Sequence, residues 1–363
     1  MKTRMKIAAL VAASALGLAA CASAPSSSSS ASPSKSAGPA FKACMVSDAG
    51  GFDDKSFNQA GFQGLNRAVT ELGVTEAHAE SKANSDYVPN IDNMIQQNCD
   101  LTITVGFLLA DATKAAATAD PAKKFAIIDN QFYDADGKVL AIANIKPLLF
   151  DTAQASYLAG YLAAGVTKTG KVATFGGMQI GSVTIFMDGF ADGVAKYNTD
   201  NGKSVQVLGW DKASQKGSFT GDFDDQSKGQ NVAKGFIDAG ADIILPVAGP
   251  VGLGAAAAAA AAGNVKIIGV DQDWYVTAPE YKGIILSSVL KQMEPAVFDV
   301  IKATRDGGFD AAAYKGTLVN NGVGLAPYHD LDSAVPAELK AKIESLKAQI
   351  VAGTLTVTSP SAP

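Results

Sequence analysis

Histidine is nearly missing from this chain: there are two in 363 residues, His78 and His329, far apart and with no ligand cluster around either. That removes the usual basis for a transition-metal centre or a nucleophile–histidine relay, and both rings are expected to be structural or exposed. There is no GxSxG elbow, no Walker loop and no cysteine pair at metal spacing. Asp222, Asp224 and Asp225 lack the glycine and terminal glutamate of a regular calcium loop. Gly249, Gly252 and Gly254 do not form GxGxxG, and the alanine run 255–262 behind them reads as a close-packed helix with a glycine-rich entrance. Acids end several strands, but no distinct acid and base can be assigned for glycosidase work. A binding protein is therefore expected, with no catalytic residue, no metal and no cofactor.

Positive charge is also scarce, with 30 Lys and Arg against 35 Asp and Glu, and three of the 30 lie in the first six residues. Lys2, Arg4 and Lys6 precede the apolar segment 7–20, too short and too alanine-rich for a comfortable membrane span, which ends in Leu18-Ala19-Ala20-Cys21. This matches a bacterial lipobox. Residues 1–20 are read as a lipoprotein signal peptide, with Cys21 the lipidated N-terminus held at the outer face of a cell membrane. Residues 21–40, almost all Ser, Ala, Pro, Gly and Lys, are read as a flexible tether. The mature chain keeps 27 basic residues against 35 acidic, a formal charge of −8, which argues against nucleic acid as a partner. Besides Cys21 there are two cysteines. Cys44 lies in the first strand candidate and Cys99 just ahead of the third, and in an oxidising compartment they are compatible with a disulfide or with two buried thiols.

From Phe41 to about Val357 short apolar runs alternate with helical patterns, the signature of parallel βαβ units. Strands are expected at 42–47, 74–78, 101–105, 124–128 and 139–145, then at 171–175, 204–208, 242–246, 265–270 and 283–289. Amphipathic helices are expected at 54–72, 87–97, 152–166, 227–239 and 293–304. Two α/β lobes in tandem account for this, with a break near Ile145-Lys146-Pro147 and further crossings in the extended runs 283–290 and 316–324. The expected division is 41–145 plus 285–318 for lobe 1 and 146–284 plus 319–357 for lobe 2. Three hinge crossings suit a clamp that closes over a ligand.

The first strand runs into Asp48-Ala49-Gly50-Gly51-Phe52-Asp53-Asp54-Lys55-Ser56-Phe57-Asn58-Gln59. A glycine turn here re-enters a helix near the acidic cap pair Asp53 and Asp54. Ligands of open α/β sheets sit just beyond the carboxyl ends of the strands, which is where Asp48, Phe57 and Asn58 fall. An acid, an aromatic face and an amide suit a flat ring with hydrogen-bonding edges, whereas a carboxylate would repel a phosphate.

That run, with Gly106-Phe107-Leu108-Leu109, the strand ending at Asp129, Ser156–Ala164, Gly176-Gly177-Met178, Gly240–Ile244 and Ile268-Gly269-Val270-Asp271, resembles the basic membrane protein family. These are bacterial lipoproteins that serve as substrate-binding components of nucleoside ABC transporters. The resemblance runs from Phe41 to about Gly324 with the motifs in family order. It implies a type I periplasmic-binding-protein fold, two doubly wound parallel-sheet lobes joined by three hinge crossings. It also implies a lipid-anchored, monomeric receptor that delivers a nucleoside, purine by preference, to a membrane permease and its ATPase. Asp48 resembles the acid that meets the base edge and Phe57 the ring stacked on the base. Phe57 also continues a core stripe with Gly61, Leu65, Ala68 and Leu72. Phe223 resembles the second aromatic, with Phe219 as its rival, and Asp129 resembles a pocket acid. Asp271 and Lys291 resemble the pair that holds the ribose hydroxyls, Gly249 and Gly252 would admit the sugar against the backbone, and Asn58 and Ser288 are further candidates. A sugar receptor and a surface sensor lipoprotein are the alternative readings.

Overall fold

Most of the apolar runs that the sequence presents become parallel strands, the central ones covered on both faces, because a βαβ crossover lays a helix over each side of the sheet. The structure, a computed structural model, describes residues 40–363; the signal peptide, Cys21 and almost all of the tether lie outside the described residues. In the first lobe β1 (Lys42–Ser47), β2 (Thr75–Ala79), β3 (Leu101–Val105), β4 (Lys124–Ile128) and β5 (Ile145–Phe150) alternate with α1 (Phe57–Leu72), α2 (Tyr87–Gln96) and α3 (Ala110–Ala119). The second lobe holds α4 (Thr152–Val166), β6 (Lys171–Gly176), α5 (Gly181–Asn201), β7 (Gln206–Leu208), the ribbon β8 (Trp210–Asp211) and β9 (Lys216–Gly217), then α6 (Gln226–Asp238), β10 (Ile243–Val247), α7 (Val251–Ala262), β11 (Lys266–Asp271), α8 (Trp274–Thr277) and β12 (Ile285–Lys291). The chain then returns to the first lobe for α9 (Met293–Arg305) and β13 (Tyr314–Gly316), and to the second for β14 (Val323–Leu325) and α10 (Ala337–Val351).

The two six-stranded sheets run β13-β5-β4-β3-β1-β2 and β14-β12-β11-β10-β6-β7. They are one topology used twice, with β1 answering to β6, β3 to β10, β4 to β11 and β5 to β12. All pairings within the sheets are parallel except the antiparallel edge β12–β14. The chain crosses between lobes after Phe150, after Lys291 and between Gly316 and Val323, so three crossings join two doubly wound lobes.

Three expected boundaries move. Residues 139–144 form a loop, with Val139 exposed and in an isolated bridge to Tyr133, and the fifth strand is 145–150, paired with β4. Pro147 is tolerated inside it. Asn144 and Leu148 accept from Phe125 and Asp129 on the β4 side, so Pro147 faces the other edge, where β13 pairs only from Leu148 onward. Residues 285–291, expected in lobe 1, pair with β11 and belong to lobe 2. Helix α1 starts at Phe57 rather than near Asp54.

The helices α4 and α5 press together over glycine: a Cβ on Gly160 would meet Phe190 O at 2.0 Å, and one on Gly193 would meet Tyr157 O at 2.0 Å. Cys44 and Cys99 form a disulfide with Cα atoms 5.9 Å apart. Among the described residues no helix is long and apolar enough to cross a membrane.

Candidate functional site

The loops after β1, β3, β4, β6, β9, β10, β11 and β12 converge on a cavity between the lobes. Eight of the residues singled out from the sequence line it. Asp48, Phe57, Asn58 and Asp129 come from the first lobe, and Phe223, Gly249, Asp271 and Lys291 from the second.

One end of the cavity is built by the β1–α1 connection. Asp54 accepts from the backbone N–H groups of Ser56, Asn58 and Gln59 at 2.9–3.0 Å, so this acid, two residues before the formal cap Ser56, satisfies the start of the helix. With the first turn fixed, Asn58 Nδ2 donates to Asp48 Oδ1 at 2.9 Å, to Ala49 O at 3.1 Å and to Asp54 Oδ2 at 3.3 Å. Asn58 Oδ1 is buried without a partner among the described residues. Asp48 packs flat on Gly106, whose φ is +113° and where a Cβ would lie 2.1 Å from Asp48 Oδ2. Glycine is required there on both counts. Burial raises the Asp48 carboxyl well above the ordinary carboxylate range, the nearby Asp54 and Asp129 charges add to it, and the Asn58 hydrogen bond opposes it. Burial likewise raises Asp54 against its three backbone donors.

At the other end two aspartates occupy equivalent places in the repeated topology. Asp129 follows β4 and Asp271 ends β11, and both hold a left-handed backbone, φ +65° and +67°, a conformation that aspartate tolerates better than most residues. Lys291, at the end of β12, forms an ion pair with Asp129 across the lobes, and both side chains are less than a tenth exposed. Its Nζ also lies 4.8 Å from the Phe57 ring centroid, 5.5 Å from Phe150 and 5.7 Å from Phe186. The direct partner of Lys291 is thus Asp129, whereas the family resemblance coupled it to Asp271. Burial pushes Asp271 up to about 6, with the Lys291 charge and a hydrogen bond from Ser56 Oγ acting against it. Asp129 is also raised by burial, with Lys291 opposing.

Between these ends the walls are aromatic and aliphatic. Phe223 lines the cavity and packs over Gly177, where a Cβ would come within 2.3 Å of its ring. Phe219 lies instead against Gly176 and meets Trp210 edge-on at 6.0 Å, which settles which of the two phenylalanines reaches the cavity. Two further candidates fall elsewhere. Ser288 Oγ accepts from Trp274 N at 3.0 Å inside the second lobe, and Gly252 makes room for the Trp274 ring, which a Cβ would approach to 2.7 Å. Both were drawn away by the need to bury Trp274, which is fully enclosed. Sequence reasoning missed Asp54 as a cavity residue, and also Gly106, Phe107 and Phe186. A glycine directly after the third strand was the available signal for Gly106.

The cleft is drawn shut by contacts that join opposite lobes. Ser56 Oγ donates to Asp271 Oδ2 at 2.8 Å, Gln272 Nε2 donates to Ser56 O at 2.8 Å, and Lys55 meets Glu280 at 2.9 Å. Among the described residues no cluster of metal-ligating side chains occurs. His78 sits edge-on to Phe52 and Phe62, and His329 stacks on Tyr275 beside Asp273. The arrangement can hold a flat, donor-rich solute out of water; it presents no activated nucleophile.

The family model for PnrA-like ABC transporter substrate-binding proteins matches residues 41–359. The chain is similar to the ABC transporter nucleoside-binding protein BmpA of Lactococcus lactis subsp. cremoris, with 33% identity over 341 residues covering 88% of this chain and 89% of the relative. It is also similar to basic membrane protein A1 of Borrelia garinii subsp. bavariensis, with 29% identity over 316 residues, 85% of this chain and 86% of the relative. An uncharacterized lipoprotein of Pyrococcus horikoshii is 32% identical over 306 residues, 81% of this chain and 70% of the relative. Among solved structures, an ABC transporter solute-binding protein from Aeropyrum pernix K1 superposes with a TM-score of 0.78 at 24% identity, covering 88% of this chain and 94% of that one, a likeness of fold.

Proposed function

The chain belongs to the family of PnrA-like ABC transporter substrate-binding proteins, and on that premise we propose that its interlobe cavity captures a nucleoside, with purines preferred. The observation that carries this reading is the division of one cavity into two unlike polar ends separated by aromatic walls. At the first end stand the Asp48 carboxyl group and the Asn58 side-chain oxygen, the latter without a partner among the described residues, and both can accept from the N–H edge of a base. At the second, Asp271 accepts from vicinal hydroxyls while Lys291 donates and offsets its charge. Phe57 and Phe223 offer faces for the base, a contact that contributes about 1–3 kcal/mol per base and tolerates different rings. The L. lactis relative is named for nucleoside binding, which supports the same ligand class here.

Uptake follows from closure. Residues on both lobes contact the ligand only when the cleft is shut, so binding shifts the population toward the closed form, which a permease and its ATPase then receive. No chemistry is done on the ligand. The Leu18–Cys21 lipobox and the lipoprotein relatives support tethering through lipid on Cys21 at the extracytoplasmic face.

Isothermal titration with adenosine, guanosine, inosine, uridine, cytidine and ribose tests the ligand class. Binding of at least one nucleoside, with no heat from ribose, is expected. Ribose binding without any nucleoside binding would overturn the reading in favour of a sugar receptor.

A further inference from the structure

Beyond the cavity just described lies a second pocket with about 610 Å³ of free space, which meets the first at Phe107, Asp129 and Ser182, residues that line both. It too is built from both lobes: Asn130, Tyr133 and Phe150 come from the first, Gly181 and Ile185 from the first turns of α5 in the second, and the C-terminal segment closes one side through Ser361. Ser361 is fixed there, with its hydroxyl 3.0 Å from that of Thr184, while Ser359 Oγ donates to Asp188 Oδ2 at 2.6 Å. The pocket has aromatic and aliphatic walls and no lysine or arginine among its lining residues. Its one acid, Asp129, is already paired with Lys291. Asn130 is only 6% exposed, and its Nδ2 has no hydrogen-bond partner among the described residues, an arrangement that is costly unless something accepts from it. Tyr133 and Phe107, at 53% and 42% exposed, are apolar surface left standing beside it.

We propose that this pocket is a subsite for an uncharged extension on the sugar of the ligand, one that carries an acceptor oxygen for Asn130. The inference rests on the nucleoside reading. With the base at Asp48 and the vicinal hydroxyls at Asp271 and Lys291, the remaining sugar carbon to carry a substituent is the 5′ carbon, and the second pocket adjoins the Asp129 side of that end. The extension is neutral because the pocket offers a phosphate no cation, and it is small and partly apolar because the walls are. The receptor therefore takes nucleosides esterified or otherwise extended at the 5′ oxygen, as well as the parent compounds. Since the pocket spans the cleft, an extension placed there touches both lobes and favours the closed form.

The test is calorimetric titration of the full-length protein with adenosine, guanosine and inosine, with the 5′-O-acetyl ester of each, and with each 5′-monophosphate. For the tightest-binding parent, the ester is expected within threefold of it or tighter, and the monophosphate at least a hundredfold weaker. Asn130→Ala should weaken the ester by up to about tenfold, the value of one lost hydrogen bond, and leave the parent within twofold. Gly181→Leu, whose side chain would grow toward Ser361 from a Cβ position 3.5 Å away, fills the pocket from α5 and should weaken the ester more than tenfold with the parent again little changed. An ester a hundredfold weaker than its parent in the unaltered protein overturns the subsite, as does an ester that ignores both substitutions. If neither parent nor ester binds, the nucleoside reading fails and takes the subsite with it; a bound parent with a rejected ester refutes the subsite alone.

Discussion

Replacing Lys291 with methionine removes the cation from a site that holds two buried acids, Asp129 in direct contact and Asp271 within its field. Lys291 and Asp129 are 3% and 7% exposed, so water cannot take over for the lost partner, and breaking such a pair costs about 3–5 kcal/mol. The lower end applies here. Burial already raises Asp129, so an abandoned carboxylate escapes part of the penalty by taking up a proton. A loss of about 3 kcal/mol in unfolding free energy at pH 7, roughly two orders of magnitude in the unfolding constant, is therefore expected from urea denaturation. Asp129→Asn should cost less, because Lys291 keeps Asp271 as a counter-charge. The double change Asp129→Asn with Lys291→Met should recover most of the loss without restoring ligand binding, since one uncompensated acid has gone. The Lys291→Met penalty should also shrink between pH 7 and pH 5 as the acids protonate. If Asp129→Asn is as costly as Lys291→Met, or the penalty ignores pH, the ion pair is not what holds this end of the cleft.

Four further outcomes are expected. Asp271, pushed up to about 6 by burial, binds a proton in the folded protein before it does so unfolded. Between about pH 4 and 6 it therefore makes the empty protein more stable as pH falls, and above 6 that contribution is gone; the stability difference between the unaltered protein and Asp271→Asn, followed against pH, should carry this slope. Nucleoside affinity should move the opposite way and weaken below pH 6, because hydroxyl donors need the carboxylate. Reducing the Cys44–Cys99 bridge, which spans 55 residues, should lower stability by up to about 4 kcal/mol in the chain-entropy account; unchanged urea midpoints with and without reductant would contradict it. Phe57→Ala and Phe223→Ala should each weaken nucleoside binding by about 5- to 150-fold, the equivalent of 1–3 kcal/mol, while Phe219→Ala should lower the melting temperature and leave affinity within threefold.

Strands at 42–47, 101–105 and 124–128 were legible because a strand buried on both faces must be a short continuous apolar run. The fifth strand was not, because Pro147 reads as a break and only the short reach of β13 makes it harmless. Helix α5 escaped notice because it is buried on several sides and carries Gly189 and Gly193 for contact with α4, so its composition has no amphipathic stripe. At the site, Asp48 and Asn58 could be placed from a strand end and a helix start ten residues apart. The Lys291–Asp129 pair joins residues 162 apart in the chain and depends on how the lobes meet, which no local pattern encodes. Asp54 looked like a capping residue and is one, but its place in the cavity wall depends on the turn that Gly50 and Gly51 allow.

The interleaving of the two sheets has a consequence for the life of the chain before it binds anything. β12 closes the core of the second sheet, β13 edges the first and β14 returns to edge the second, so neither half can be cut out as one continuous stretch. Truncation anywhere before about residue 325 leaves at least one sheet incomplete. The contacts that α9, β13, β14 and α10 make with the two lobes wait for the last part of the chain, a long-range topology that slows folding. The sheets are complete only when the final segments have arrived, so the chain stays open longer than two separately contiguous lobes would.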